Sequence, residues 1–344
     1  MEIRENLSLA PLTTLGIGGP ARWFVEAKSE SEGVEAVKWA HERAVPLFVL
    51  GGGSNLLVSD AGFPGLVLRV AMRGVETDED GSGRVYRVAA GEDWDGFVGQ
   101  AVEDGCAGVE CLAGIPGTVG GTPVQNVGAY GQEVAETIVR VRALDLETLL
   151  LREMDAAECG FGYRRSIFNS TERGRFLVTR VDYLLTLGGK PRLRYPDVQK
   201  ALAEDADPSL AAVAAAVRVI RRAKGMLLVE GDADCRSAGS FFRNPVISAV
   251  ALRALSLRLG SEPPHYLAGR DCVKLPAAWL IERAGFAKGF ALGRAGISSR
   301  HTLALVNRGG ASAGDLLGLR DRIVAEVSAQ FGISLEMEPV LMGF

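Results

Sequence analysis

Apolar and polar positions along the chain divide it into regions of different period. Residues 21–28, ARWFVEAK, read as a strand, and 45–50, VPLFVL, as a buried one. Between them, SESEGVEAVKWAHERA (29–44) places Val34, Val37 and Ala40 or His41 on one helical face and opens with serines suited to capping. GGGSNLLVSD (51–60) follows at once, so strand, helix, strand and glycine loop form a compact βαβ unit. From about 66 to 185 the pattern turns to β-rich runs (GLVLRV, RVYRVAAG, IVRVRALDL, FLVTRVDYLLTL) with helical breaks, which is α+β rather than a regular parallel array. DPSLAAVAAAVRVIRRAK (207–224) predicts a helix opened by Asp207 and Pro208 and closed by basic residues before Gly225, a hinge into a third region. That region holds a Pro-started helix at 276–286, a strand at 302–307, a helix from about 314 to 331 and a strand-like end, ISLEMEPVLMGF. No internal repeat is present.

Composition bounds the function. A chain of 344 residues exceeds one ordinary core and calls for two or three domains. Lys and Arg number 38 against 42 Asp and Glu, which leaves no concentrated basic face for nucleic acid or an anionic membrane. The start, MEIRENLSLAPL, mixes both charge signs without an apolar core and is no signal peptide, and AAVAAAV and YLLTL are too short to span a bilayer. Five cysteines form no C-x-x-C pair, and none has a base beside it in sequence. That usage predicts small buried thiols in a reduced cytoplasm and no metal site.

The 43 glycines are bunched rather than spread, and fixed glycine usually marks a tight turn or backbone close to a ligand. Two loops dominate, 51–60 and GIPGTVGGTPVQNVGAYG (114–131). Their N–H groups could converge on an anion, and hairpin turns are an equal reading. Neither is a G-x-x-x-x-G-K-[ST] loop, and GGGSNL lacks the third glycine of G-x-G-x-x-G. A third stretch, SAGSFFRNP (237–245), holds one hydroxyl, Ser240, between Gly239 and two phenylalanines; taken alone it is a turn anchored by Phe241 and Phe242.

The order of these loops is more informative than any one of them. TTLGIGGPA (13–21), GGGSNLLVSD, the 114–131 loop, FGYRRSIF (161–168), AGSFFRNP and LEMEP (335–339) occur in one chain in this order. Together, over about residues 12–343, they resemble the family of UDP-N-acetylenolpyruvoylglucosamine reductases, flavoenzymes of bacterial peptidoglycan synthesis, and RYPDV (194–198) resembles the Tyr-bearing substrate loop of one branch. The resemblance implies an α+β, three-domain FAD-binding fold of the vanillyl-alcohol-oxidase/p-cresol-methylhydroxylase type. Its parts would be a βαβ lobe (1–68), an α+β lobe (69–224) and an α+β substrate domain (225–344) whose last strand could return to the FAD lobe. It further implies non-covalent FAD, with NADPH as co-substrate. Gly51, Gly52, Gly53, Ser54 and Asn55 would lie at the pyrophosphate, and Gly114, Ile115, Pro116, Gly117, Thr118, Gly120 and Gly121 along the ribityl chain and ring.

The same resemblance implies hydride transfer from flavin N5 to the enolpyruvyl CH₂, a proton from Ser240, and charge stabilisation by Arg164 and Glu338. An arginine fork suits a carboxylate that gains charge, and preorganised donors lower such a state most. Glu336 is the alternative carboxylate; spacing to Gly343 favours Glu338. Tyr195, Arg221, Lys224, Asn244, Tyr266, Lys274 and His301 match sugar-nucleotide positions. The connection GMLLVEGDADCRS (225–237) is longer than the family's usual one, which leaves the reach of Lys224 open. Two other readings are a covalent-FAD oxidase, against which stands the lack of histidine in GGGSNLL, and a non-catalytic nucleotide-sugar-binding protein.

Overall fold

The computed structural model describes residues 1–81 and 83–344. The chain divides into two compact units, each assembled from separate segments: residues 1–7, 20–53 and 63–223 form the first, and 8–19, 54–62 and 224–344 the second.

The first unit opens with β1 (Arg4–Ser8), β2 (Pro20–Ala27), helix α1 (Glu30–Glu42) and β3 (Leu47–Leu50). After β3 the chain passes through the glycine loop and β4 (Leu56–Val58), which belongs to the second unit, and returns as β5 (Phe63–Val70). The sheet order is β1-β2-β5-β3, with β2 and β3 each parallel to β5. The βαβ crossover therefore spans an intervening strand that arrives only after the loop. Ser29 caps α1 by accepting from the Glu32 N–H, and Gly33, Ala36, Val37 and Ala40 are buried. The inward residue of the last turn is thus Ala40, and His41 is exposed.

An antiparallel sheet in the order β12-β11-β13-β7-β6 completes this unit, from β6 (Val75–Asp80), β7 (Gly83–Ala89), β11 (Ile138–Asp145), β12 (Leu151–Asp155) and the twelve-residue β13 (Phe176–Leu187); β8 (Cys106–Ala107) also pairs with β13. Glu30 of α1 accepts from Arg142 at 2.7 and 3.0 Å and from the Thr179 hydroxyl at 2.7 Å, and these bonds, the Arg142 one foremost, hold its carboxyl below the usual range. Helix α2 (Trp94–Glu103) packs Trp94 and Phe97 against Tyr86 and Tyr183. The same unit holds the small hairpin of β9 (Gly128–Ala129) and β10 (Gln132–Glu133) and, after β13, helices α3 (Pro196–Ala201) and α4 (Leu210–Ala223). Helix α4 begins later than its sequence suggests, because the Ser209 hydroxyl, accepting from Ala212 N–H at 3.1 Å, does the capping rather than Asp207 and Pro208.

In the second unit, β14 (Val246–Ser248), β15 (Tyr266–Leu267) and β16 (Cys272–Lys274) form one small antiparallel sheet beside α5 (Ala249–Leu259). A second comprises β17 (Ala291–Leu292), β18 (Ala295–Ile297) and β19 (Leu305–Asn307), with α6 (Ala277–Arg283) preceding it and the nineteen-residue α7 (Ala313–Phe331) following. The final strand, β20 (Val340–Met342), runs parallel to β4. Leu15, Ile17 and Leu57 share one core with Phe241, Phe242, Leu280, Leu316 and Ile323. Asp60 accepts from the Ala313 and Gly314 N–H groups at 2.8 and 3.2 Å, so a carboxylate stands at the positive end of α7.

Candidate active site

Within the first unit the two glycine loops touch backbone to backbone. A Cβ on Gly52 would lie 2.6 Å from the Gly117 Cα, and one on Gly51 3.1 Å from the Thr118 Oγ1. The second loop is held from behind. Trp94 N–H donates to Gly117 O at 3.1 Å, and Gly120 N–H donates to Ala90 O at 2.8 Å. Asp95 accepts from Gly114 N–H at 2.5 Å, and Arg221 Nε donates to Gly114 O at 2.9 Å. Ile115 N–H donates to Leu112 O, and Pro116, Gly117 and Gly121 complete the turn into a short 3₁₀ segment, 119–121. One polar atom of this loop is left over: the Thr118 hydroxyl is buried and has no hydrogen-bond partner. Buried hydroxyls are rarely left so without a reason. Glycines that admit no side chain, beside an orphaned hydroxyl, fit a cradle for the diphosphate of a dinucleotide such as FAD. Ser54 and Asn55 continue the loop in the second unit, where Thr14 Oγ1 donates to Ser54 O and Asn55 Nδ2 donates to Glu338 O, each at 3.4 Å.

Arg164 lies in the same unit as the glycine loops. Its backbone is left-handed (φ 52°), as are those of Asn126 (44°) and Tyr130 (51°). Three such residues each hold about 1–2 kcal/mol of strain, and strain of this kind gathers at functional sites. The guanidinium donates to Asn126 O and Gly128 O, beside the Tyr163 ring. Asn126 in turn bonds Glu133 and Gly162 O, so hairpin, loop and arginine form one network. Tyr195, at the N-cap of α3, is 37% exposed and meets Tyr130 edge-on, ring centroids 5.3 Å apart. Arg221 is buried; burial pushes its guanidinium down, and the Tyr130 hydroxyl and Asp95 oppose that. Tyr130 therefore connects Tyr195 to the Arg221 that supports Gly114. No sequence signal singled out Tyr130 beyond its place in GAYG.

The second unit brings Ser240 and Glu338 to neighbouring positions. Phe242 pairs antiparallel with Met337, Glu338 N–H donates to Phe241 O at 2.9 Å, and Arg243 N–H donates to Glu336 O at 2.9 Å. Ser240 is half-buried at a left-handed Gly239 (φ 70°). Glu338 is half-buried and Glu336 exposed, which sets them apart where sequence spacing only hinted. Phe241 and Phe242 go wholly into the core, ring against ring at 5.5 Å, so they anchor the turn rather than line its open side. The Arg243 Nε is buried without a hydrogen-bond partner. Asn244 spends its amide oxygen on Ala277 N–H at 2.9 Å, fixing the start of α6. Tyr266 (63% exposed) and Lys274 (half-buried) are direct partners across β15 and β16. His301 is mostly buried; burial first, then Lys224 and Lys288, push its pKa down to about 4, so it is neutral at pH 7 beside two cations.

The glycine cradle, in a unit built from a βαβ sheet and a separate antiparallel sheet, belongs with the family matches to an FAD-binding domain of the vanillyl-alcohol-oxidase/p-cresol-methylhydroxylase type, and so to a flavin-dependent oxidoreductase. Residues 21–150 match the FAD binding domain family, and 231–342 match the C-terminal domain of UDP-N-acetylenolpyruvoylglucosamine reductase. Over 98% of both chains, the protein is 47% identical to the UDP-N-acetylenolpyruvoylglucosamine reductase of Thermobifida fusca. It is 46% identical to that of Streptomyces coelicolor, over 98% of this chain and 90% of the other. A crystal structure of the reductase from Thermus caldophilus superposes with a TM-score of 0.68 at 29% identity, covering 99% of this chain and all of that one. The chain belongs to the UDP-N-acetylenolpyruvoylglucosamine reductase family and is an FAD-dependent reductase of peptidoglycan precursor synthesis. No helix among the described residues is long and apolar enough to cross a membrane.

Proposed function

We propose that the protein works in the cytoplasm and reduces the enolpyruvyl ether of UDP-N-acetylglucosamine to the lactyl ether, UDP-N-acetylmuramate, with NADPH as electron source and Ser240, Arg164 and Glu338 as catalytic residues. FAD, bound non-covalently by residues 51–55 and 114–121, supplies the relay of hydride to the substrate's CH₂ carbon. Hydride gained there leaves negative charge on the neighbouring carbon, delocalised into the carboxylate. Arg164 binds that carboxylate, since its always-charged fork grows more favourable as charge builds. Ser240 delivers its proton to the carbanionic carbon, and Glu338 stands beside it to stabilise or pass on the proton. Lys224, Lys274, Asn244, His301, Tyr266 and Arg221 bind the diphosphate and uridine, and Tyr195 closes on the nucleotide as in the Tyr-loop branch.

The observation that carries the reading is the pairing of 241–243 with 336–338, which sets Glu338 against Phe241, the residue next to Ser240. The test is anaerobic stopped-flow absorbance of the holoenzyme in two halves. NADPH should bleach the flavin, and the enolpyruvyl nucleotide should then restore its colour. Bleaching without reoxidation would overturn the assignment. Acid precipitation should leave the flavin in the supernatant; flavin in the pellet would favour a covalent oxidase instead.

A further inference from the structure

The connection at 225–237 is built into the second unit rather than looped out from it. Cys235 draws it closed: the thiol donates to Leu227 O at 2.8 Å and accepts from Val229 N–H at 3.4 Å. At its far end, Asn307 N–H donates to Arg236 O at 3.0 Å, and Ser237 pairs with Val306. Between these ties, two carboxylates reach the turn at 298–301. Asp234 accepts from Ser299 N–H at 3.0 Å and from its hydroxyl at 2.6 Å, and Arg300 Nε lies 3.5 Å away. Asp232 takes Arg300 Nη1 at 2.7 Å and accepts from Asp234 N–H at 3.0 Å. Burial disfavours the charge of Asp232, but the Asp234 N–H and the Arg300 guanidinium outweigh it and hold the carboxyl below its usual range.

The turn gripped in this way carries His301. Its inner side is fixed too, because the fully buried Ser298 hydroxyl accepts from Arg300 N–H at 3.1 Å and His301 N–H at 3.3 Å. Lys224 enters from the other end. Gly225 follows it at φ 65°, so tightly seated that a Cβ there would lie 3.1 Å from the Asp234 Cβ and 3.3 Å from the Ser298 Oγ. The Asp234 side chain therefore lies against Gly225, the residue after Lys224, with its Cβ and accepts from the backbone two residues before His301 with its carboxylate.

We propose that residues 225–237 are a positioning brace, in which Asp232 and Asp234 hold the Ser298–Arg300 turn against Gly225 so that Lys224 and His301 meet the nucleotide diphosphate as a fixed pair. Asp232, Asp234 and Arg300 are positioning residues that act through this pair. The inference rests on the reading of Lys224 and His301 as diphosphate ligands. The groups that bear on the imidazole charge are Lys224 and Lys288, with Glu282 opposing them. If the brace opens, the imidazole gains water and distance from Lys224, and its proton affinity returns toward the ordinary 6.5.

Three forms of the holoenzyme test the brace: Asp234→Ala, Asp234→Asn, which keeps an acceptor for the Ser299 N–H, and Asp315→Ala, which removes the capping box of α7 in the same unit without touching the turn. Asp234→Ala should raise the KM for the enolpyruvyl nucleotide about 10- to 100-fold, a cost typical of a slightly misplaced binding group. Flavin reduction by NADPH should be unchanged. His301, followed by NMR, should titrate well above 4. Asp234→Asn should recover part of both effects, and Asp315→Ala should lower the melting temperature with neither. If KM and the His301 titration in Asp234→Ala and Asp234→Asn match the parent, or if Asp315→Ala reproduces them, the brace is refuted. Should the parent enzyme itself fail to reoxidise with the nucleotide, the assigned reaction falls, while the His301 titration still decides on the brace.

Discussion

Gly52→Ala probes the contact between the two glycine loops most sharply. The added Cβ would lie 2.6 Å from the Gly117 Cα, 2.9 Å from its carbonyl carbon and 3.0 Å from the Thr118 N. Ordinary contact begins near 3.4 Å, so the loops must separate by roughly 0.8 Å. All three neighbours are backbone, and Gly117 is itself held by Trp94 and by its φ of 127°. No rotamer change relieves the clash. Overpacking of this kind costs about 1–3 kcal/mol. Bound FAD would need the close approach of both loops kept. The cost should thus fall on affinity, weakening FAD about 5- to 150-fold. Gly51→Ala is the matched control: its one close neighbour is the Thr118 hydroxyl at 3.1 Å, which can turn aside, so the loss should stay within about fivefold. Flavin fluorescence quenching on titration into apoprotein gives both constants. Equal affinities for Gly52→Ala and the parent, with melting temperatures also equal, would refute a shared cradle.

Ser240→Ala should fold, bind FAD and accept electrons from NADPH normally, while reoxidation by the enolpyruvyl nucleotide slows at least about 10²–10⁴-fold, and Ser240→Cys should restore part of it; near-parental turnover of the alanine form would leave Ser240 a turn residue. Glu338→Gln should slow the same half-reaction and Glu336→Gln should not, because Glu338 is half-buried and bonds Phe241 beside Ser240 whereas Glu336 is exposed; the reverse order in stopped flow would exchange their roles. Tyr195→Ala should weaken sugar-nucleotide binding more than it slows flavin reduction, and equal losses in both would indicate a folding role. His301 is held near 4 when folded against 6.5 when unfolded, so the unfolded state takes up the extra proton and stability should fall as pH drops from about 6.5 to about 4, then level off. Urea titrations of His301→Gln should lose that slope; an undiminished slope would assign it elsewhere.

Local pattern revealed what local pattern encodes. The face of α1 and the long strand at 176–187 follow from their periods and appear where expected, and the helix expected at 207–224 appears at 210–223. The sheets around 246–274 did not announce themselves, because strands of two or three residues are too short to show alternation. At the site, glycine clustering exposed the two loops, yet nothing in GGGSNL or GIPGTVGG says that Gly52 meets Gly117. The Tyr130–Tyr195 contact and the ladder that separates Glu338 from Glu336 likewise join positions far apart in sequence. The strain at Arg164 is equally invisible beforehand, since an arginine carries no propensity for a left-handed backbone.

The patchwork make-up of the second unit has a consequence for how the chain comes into being. Its core needs Leu15 and Ile17, then Leu57, and, only much later in synthesis, Phe241 through Leu335. Its parallel strand pair joins Leu56–Val58 to Val340–Met342, segments far apart along the chain. During synthesis the segments 8–19 and 54–62 emerge with their apolar side chains unclaimed, and they must wait until residues 224–344 are made before their partners exist. Such late, long-range closure makes for slow folding and a prolonged exposure of Leu56–Val58 as an open edge. It also means that removing Val340–Met342 would leave Leu56–Val58 without its parallel partner and expose it to aggregation or proteolysis.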